Sequence, residues 1–201
     1  MNDIIEIDNI IPVDYQNYLE DTLTGWDFPW VLNKNMVSGD ACFADQKNNP
    51  PGFNHFFYEQ NKPVSNFFQL IYPLVLSITS QQIPFNRLFR MRANLTLANQ
   101  QTDSGLLMPH IDSFHPHWNA IYYVNDSDGD TVIFNETNND FDSGQADIDK
   151  IKANNFTVKH RVTPKKGKLL AFPGKYYHTA SFCKDSSYRC LININLGNMI
   201  V

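Results

Sequence analysis

Cysteine is scarce in this chain, with Cys42, Cys183 and Cys190 an odd three among 201 residues and no CxxC spacing. That fits a reducing compartment better than a disulfide framework. Positive charge is also in deficit, 16 Lys and Arg against 21 Asp and Glu, for a formal net charge of −5. General nucleic-acid binders present a basic face, so no such binding is expected. Long hydrophobic runs are missing too. The longest, Leu70 to Ile78, is broken by Pro73 and Ser77 and falls far short of the roughly 18 residues that a membrane span needs. The opening Met1-Asn-Asp-Ile-Ile-Glu-Ile-Asp8 carries acids and no basic n-region, so neither a signal peptide nor a membrane partner is expected, and the cytoplasm is the expected location. Repeats, low-complexity tracts and Pro/Gly/Ser linkers are absent, which leaves one domain over residues 1–201.

What is present is apolar and aromatic material enough for a core: 42% of residues are hydrophobic and 13% aromatic. Ile5-Glu-Ile-Asp8 alternates as a short strand, and the apolar residues between Asp14 and Leu23 are spaced for a helix. Residues 26–57 are rich in aromatics, Asn, Asp and Pro without a sustained period, which reads as irregular structure with short strands. From Pro63 to Gln81, Val64, Phe67, Phe68, Ile71, Val75 and Ile78 recur three or four apart, the pattern of a helix covering one face of a sheet. Beyond Pro84 the runs Leu88–Leu97, Trp118–Val124, Thr131–Asn135, Phe156–Val162, Lys168–Phe172 and Tyr188–Leu196, separated by turn-forming residues, read as strands. Helices first and strands later, without βαβ alternation, predict an α+β, mainly β fold: about 1–85 as helical and irregular support, about 86–201 as an antiparallel sandwich or jelly roll.

Chemistry-bearing residues are unevenly placed. His110, Asp112, His115 and His117 fall within eight residues, and His178 stands well apart from them. In extended backbone, His110 and Asp112 share a face, because strand side chains repeat every second residue. A third ligand from a distant strand would complete two histidines and one carboxylate, which leaves coordination positions open and suits non-haem Fe(II). HxD alone is a weak signal. Arg189, however, lies inside the otherwise apolar run Tyr188-Arg-Cys-Leu-Ile-Asn-Ile194, where a buried guanidinium calls for an anionic partner such as a ligand carboxylate. His115 and His117 flank Pro116 in a loop and are secondary candidates for zinc, while a zinc hydrolase is disfavoured by the lack of an HExxH-like Glu. Asp126-Ser-Asp-Gly-Asp130 reads as an acidic turn, since it lacks the spacing of a calcium loop.

The ordered set His110-Ile-Asp112, Ala120-Ile-Tyr-Tyr-Val-Asn125, Gly129-Asp-Thr-Val-Ile-Phe134, Pro164-Lys-Lys-Gly-Lys-Leu-Leu-Ala-Phe-Pro173, His178 and Arg189 resembles the 2-oxoglutarate- and Fe(II)-dependent dioxygenases. The likeness is to their prolyl-4-hydroxylase-like branch, which includes many small phage and bacterial proteins. It covers residues from about 88 to 196. The resemblance implies a double-stranded β-helix (jelly roll, cupin-like) with N-terminal helices packed on one sheet. It implies that His110, Asp112 and His178 are the catalytic iron ligands and that Arg189 holds the distal carboxylate of 2-oxoglutarate. Asn94 and Asn119 are candidates for positions where the family carries Tyr and Thr, and Tyr123 and Asn193 are further candidates to touch the cosubstrate. Arg189 itself stands where prolyl hydroxylases usually have Lys. The implied reaction consumes 2-oxoglutarate and O2, with ascorbate in support, hydroxylates an unactivated C–H bond and releases succinate and CO2. Its substrate is a protein or peptide side chain, prolyl among them, or a free small molecule, and the host cytoplasm is the location if the chain is phage-encoded. The alternative is a catalytically silent jelly-roll binding or structural module.

Overall fold

The structure is a computed structural model that describes residues 3–36, 50–81, 83, 85, 87–98, 105–138 and 155–197. The element order is β1 (Ile5–Ile7), α1 (Val13–Leu23), β2 (Val31–Asn33), β3 (Gly52–Glu59), β4 (Lys62–Pro63), α2 (Phe68–Thr79), β5 (Arg87–Leu97), β6 (His117–Tyr123), β7 (Thr131–Thr137), β8 (Val158–Val162), β9 (Leu169–Pro173), β10 (Tyr176–Ala180) and β11 (Tyr188–Gly197). The fold is mainly β, a jelly roll of two antiparallel sheets. The larger runs β1-β9-β6-β11-β5-β3-β2, with β4 on β3, and the smaller runs β10-β7-β8.

Period-two alternation sends the two faces of the large sheet to different partners. Met91 and Ala93 on β5, Ala120 and Tyr122 on β6, Leu169 and Ala171 on β9, and Cys190, Ile192 and Ile194 on β11 pack outward. They meet Leu19 and Leu23 of α1 and Ile71, Leu74, Val75 and Ile78 of α2, so both helices cover this one sheet. The other face supplies Ile121, Tyr123, Leu170, Phe172 and Leu191, which pack on Ile133, Val162 and Tyr176 of the small sheet. Val132, Phe134 and Tyr177 point out of the small sheet onto Ile111. Polar residues of the inner face, among them Asn119, Asn193, Asn195 and Arg189, are therefore buried between the sheets.

Three sequence expectations need correction. The helix expected over 63–81 begins at Phe68, because Gln60 (φ 51°) and Asn61 (φ 62°) close a two-residue hairpin that pairs Lys62 and Pro63 with Glu59 and Tyr58. Both central residues have positive φ, the geometry of a type I′ turn. The segment read as irregular contains the eight-residue β3, which pairs with β5 in the large sheet. Finally, β10, the strand that carries His178, was not expected as a strand. The acidic turn reading of 126–130 agrees with the structure: the Asp128 carboxylate accepts from the backbone N–H groups of Lys184, Asp185 and Ser186 at 2.8 to 3.0 Å and ties the β6–β7 connection to the β10–β11 connection. Cys42 and most of the loops at 98–109 and 136–155 lie outside the described residues.

Candidate active site

The segment before β6 runs beside β10 as a further, irregular strand. The backbones of His110 and His178 exchange two hydrogen bonds of 3.0 Å, and Leu107 N–H donates to the Ala180 carbonyl at 2.8 Å. This pairing brings residues 68 positions apart side by side. Ile111 turns outward into the cluster under the small sheet, so His110 and Asp112 turn inward. One ligand atom each from His110, Asp112 and His178 falls within 4.8 Å of the others, and this is the only such cluster of three or more among the described residues; His115 and His117 are not in it.

The hydrogen bonds around the cluster prepare it for a cation. His110 Nδ1 donates to the Met108 carbonyl at 3.1 Å and His178 Nδ1 to the Tyr176 carbonyl at 3.3 Å. Each ring is thereby held as the tautomer whose Nε2 lone pair is free. Burial, with His110 adding to it, pulls the His178 imidazole down to about 3. Burial also lowers His110. Both rings are thus neutral donors at neutral pH. Burial pushes the Asp112 carboxyl up, but the neighbouring cationic groups, Arg90 first, outweigh it and hold the group well below the usual carboxylate range. With the histidines neutral, the two guanidinium groups of Arg90 and Arg92 carry that effect.

Asp112 is clamped from both oxygens. Arg90 Nη2 donates to Oδ1 at 3.0 Å, and Asn193 Nδ2 and Asn195 Nδ2 donate to Oδ2 at 2.9 and 3.3 Å. Oδ2 also faces His178 Nε2 at 3.6 Å. Asn195 in turn receives Arg90 Nε at 2.8 Å and donates to Asn119 Oδ1 at 2.7 Å. Asn119 is thus placed behind Asn195, while Asn193 contacts the carboxylate directly. Asn94 lines the same narrow inner cavity as His110, His178, Arg92 and Arg189.

Arg189 closes the far end of that cavity. It is 6% exposed; its Nη2 donates to Thr131 Oγ1 at 2.7 Å, and its Nε is buried without a partner. Tyr123 donates its hydroxyl to the same Thr131 oxygen at 2.7 Å, and its ring lies 5.9 Å from the guanidinium carbon. Among the described residues no carboxylate forms an ion pair with Arg189. A buried guanidinium in that state has donors to offer an anion. The site therefore fits both groups that the sequence implied: the donor set suits Fe(II), and the orphaned Nε of Arg189 suits a carboxylate.

The site residues that sequence reasoning missed are Arg90, Arg92 and Asn195 around Asp112 and Thr131 beside Arg189. A signal was there in Arg90-Met-Arg92-Ala-Asn94, where polar and apolar residues alternate inside one strand. Outside the cavity, a groove of about 770 Å3 reaches Asp112 between Arg87, Phe89, Arg90, His115, Pro116 and the Gln60–Asn61 hairpin tip.

No protein-family model matches the chain, and no curated protein matches it in sequence. Solved structures do match in fold. A prolyl-4-hydroxylase from Pseudomonas putida superposes with a TM-score of 0.58 at 13% identity, over 98% of this chain and 92% of that one. A prolyl hydroxylase from Trichoplax adhaerens, in complex with a hypoxia inducible factor peptide, gives 0.61 at 13% identity over 98% and 84%. HygX from Streptomyces hygroscopicus, with nickel, 2-oxoglutarate and hygromycin B bound, gives 0.60 at 12% identity over 98% and 84%. The chain has the fold of the prolyl hydroxylases and related 2-oxoglutarate oxygenases.

Proposed function

We propose that this chain, as one domain, is a 2-oxoglutarate- and Fe(II)-dependent oxygenase of the cytoplasm that hydroxylates an unactivated C–H bond and releases succinate and CO2. The observation that carries the reading is the pairing of two features in one cavity: an inward His-Asp-His cluster with both Nε2 lone pairs free, and a buried arginine without an acid partner at the other end. When bound, Fe(II) together with 2-oxoglutarate and O2 supplies the oxidising power for C–H cleavage.

The residues have separate tasks. His110, Asp112 and His178 would hold the metal, each through one ligand atom. Arg189, backed by Thr131 and Tyr123, would hold the distal carboxylate of 2-oxoglutarate. Asn193 and Asn195 orient Asp112, and Arg90 keeps it ionised. Leu191 and Ile121 line the walls between these polar groups and limit water there. The substrate, a peptidyl side chain or a small molecule, approaches through the groove beside Asp112.

Calorimetric titration of the purified protein with Mn(II) and then 2-oxoglutarate tests this directly. One metal per chain and metal-dependent cosubstrate binding are expected, both lost in Asp112→Ala. Full metal occupancy in that variant, or 2-oxoglutarate binding that ignores the metal, overturns the assignment.

A further inference from the structure

Among the described residues, the inner wall of the site carries more positive charge than its carboxylates balance: Arg90, Arg92 and Arg189 against Asp112. Arg90 and Arg92 stand on the same face of β5, one two-residue repeat and roughly 7 Å apart. Arg92 pairs across the sheet with Asn193, whereas Arg189 pairs with Thr96, so the two arginines lie at opposite ends of the cavity, Arg92 at the metal end. Asp112 is the carboxylate at the centre, and Glu59 is the other acid whose charge reaches Arg92. Arg92 forms an ion pair with Asp112, which it shares with Arg90, but the pair leaves most of its hydrogen-bonding capacity unused. Its Nη2 stays 3.7 Å from Asp112 Oδ1, beyond hydrogen-bond reach, and its Nε is buried without a partner. The guanidinium carbon is held 5.9 Å from the centre of the Phe56 ring, so the group is placed rather than free to swing into solvent. Fe(II) and doubly ionised 2-oxoglutarate carry equal and opposite charges, so loading both leaves the excess positive charge where it was.

Resting on the oxygenase reading above, we propose that the substrate carries an anionic group, a carboxylate or a phosphate monoester, that Arg92 binds at the metal end of the cavity. Arg87 and Arg90 on the approach groove attract the same charge. A neutral prolyl ring would leave the buried Nε of Arg92 unpaired and the excess charge uncompensated, whereas an oxyanion satisfies both through charge-assisted bonds.

The test uses protein loaded with Mn(II), which does not turn over in place of iron, and saturated with 2-oxoglutarate. Acetate and methyl phosphate serve as probes, with acetamide as the neutral twin, and paramagnetic broadening of the probe methyl protons reads binding near the metal. Wild type is expected to broaden at least one anion and not acetamide. Arg92→Met is expected to weaken that binding about tenfold, with Mn(II) stoichiometry and 2-oxoglutarate affinity unchanged, and Arg92→Lys to recover most of it. Equal broadening of acetamide, unchanged anion binding in Arg92→Met, or a loss of 2-oxoglutarate affinity in that variant overturns the proposal; the last result would make Arg92 a cosubstrate residue. If Arg92→Met does not hold Mn(II), the comparison of acetate with acetamide in wild type decides. If wild type holds Mn(II) but no 2-oxoglutarate, the oxygenase reading fails on that result, and Arg92-dependent anion binding still decides the second question.

Discussion

At the scale of single residues, Arg189 and His178 make opposite demands on the solvent they were removed from. Arg189 stays charged and has one hydrogen bond from Nη2 to Thr131 to show for its burial. Removing it should cost cosubstrate binding and leave the metal alone. Loss of a charge-assisted bidentate pair is worth about 1.5 to 3 kcal/mol, so Arg189→Ala should weaken 2-oxoglutarate roughly ten- to a hundredfold by calorimetry, with an unaltered Mn(II) isotherm. An unchanged cosubstrate affinity would make Arg189 a structural cation. His178 instead gives up its charge. The unfolded chain binds a proton at this histidine below its ordinary value of 6.5, while the folded group, pulled down to about 3, does not. The unfolded state therefore binds more protons between those limits, and metal-free stability should fall as pH drops through that window, by up to about 1.4 kcal/mol per pH unit from this group. Urea midpoints at pH 7.5 and 5.5 measure the effect, and His178→Asn should flatten it. An equally steep loss in that variant would assign the pH dependence to other groups.

At the scale of elements, legibility followed the strength of the local pattern. The strands β5, β6, β7, β8, β9 and β11 could be read because each is an aliphatic and aromatic run between clusters of turn-forming residues, and α1 because Leu19 and Leu23, both fully buried, lie one turn apart. The hairpin tip Gln60-Asn61 carries no glycine, so a turn that overrides the helical spacing at Pro63 and Val64 left no mark. Strand β10 is five residues, Tyr-Tyr-His-Thr-Ala, all of them buried; it has no aliphatic run of the kind that marks the equally buried β9 and β11. The candidate triad was legible through ordered motifs, whereas the clamp on Asp112 was not, since Asn195 and Arg90 meet only when β11 pairs with β5. The β6–β7 turn supplies a test of how closely elements support the site. A Cβ on Gly129 would stand 3.0 Å from Arg189 Cδ, 3.1 Å from the Ser181 carbonyl oxygen and 3.2 Å from the Cys183 nitrogen. Two of those neighbours are backbone and cannot yield, so the arginine must. Gly129→Ala should therefore weaken 2-oxoglutarate several-fold and destabilise by about 1 to 3 kcal/mol, with metal affinity kept. Wild-type cosubstrate affinity in a destabilised Gly129→Ala would show that the turn supports the fold and not the arginine.

At the scale of the whole molecule, the site is a seam between the sheets. His178 comes from the small sheet, His110 and Asp112 from the segment paired to it, and Arg189 from the centre of the large sheet. On the proposed reading, metal alone would engage one side of the seam, and a cosubstrate held by both the metal and Arg189 would engage the two together. Ligands that bind only the folded chain stabilise it in proportion to the logarithm of their excess, about 2.7 kcal/mol at a hundredfold excess over Kd. For a chain of this size that amounts to roughly 5 to 10 °C in Tm. Mn(II) should raise Tm on its own, and 2-oxoglutarate should add a second increment only once Mn(II) is present, because most of its binding free energy requires the metal. The variants separate the two halves of the seam. Arg189→Ala should keep the first increment and cut the second to about half or less, and Asp112→Ala should lose both. A rise in Tm with 2-oxoglutarate alone, equal to that with metal present, would mean that the cosubstrate is held by Arg189 without reaching the triad, and the two ends of the cavity would then be separate sites.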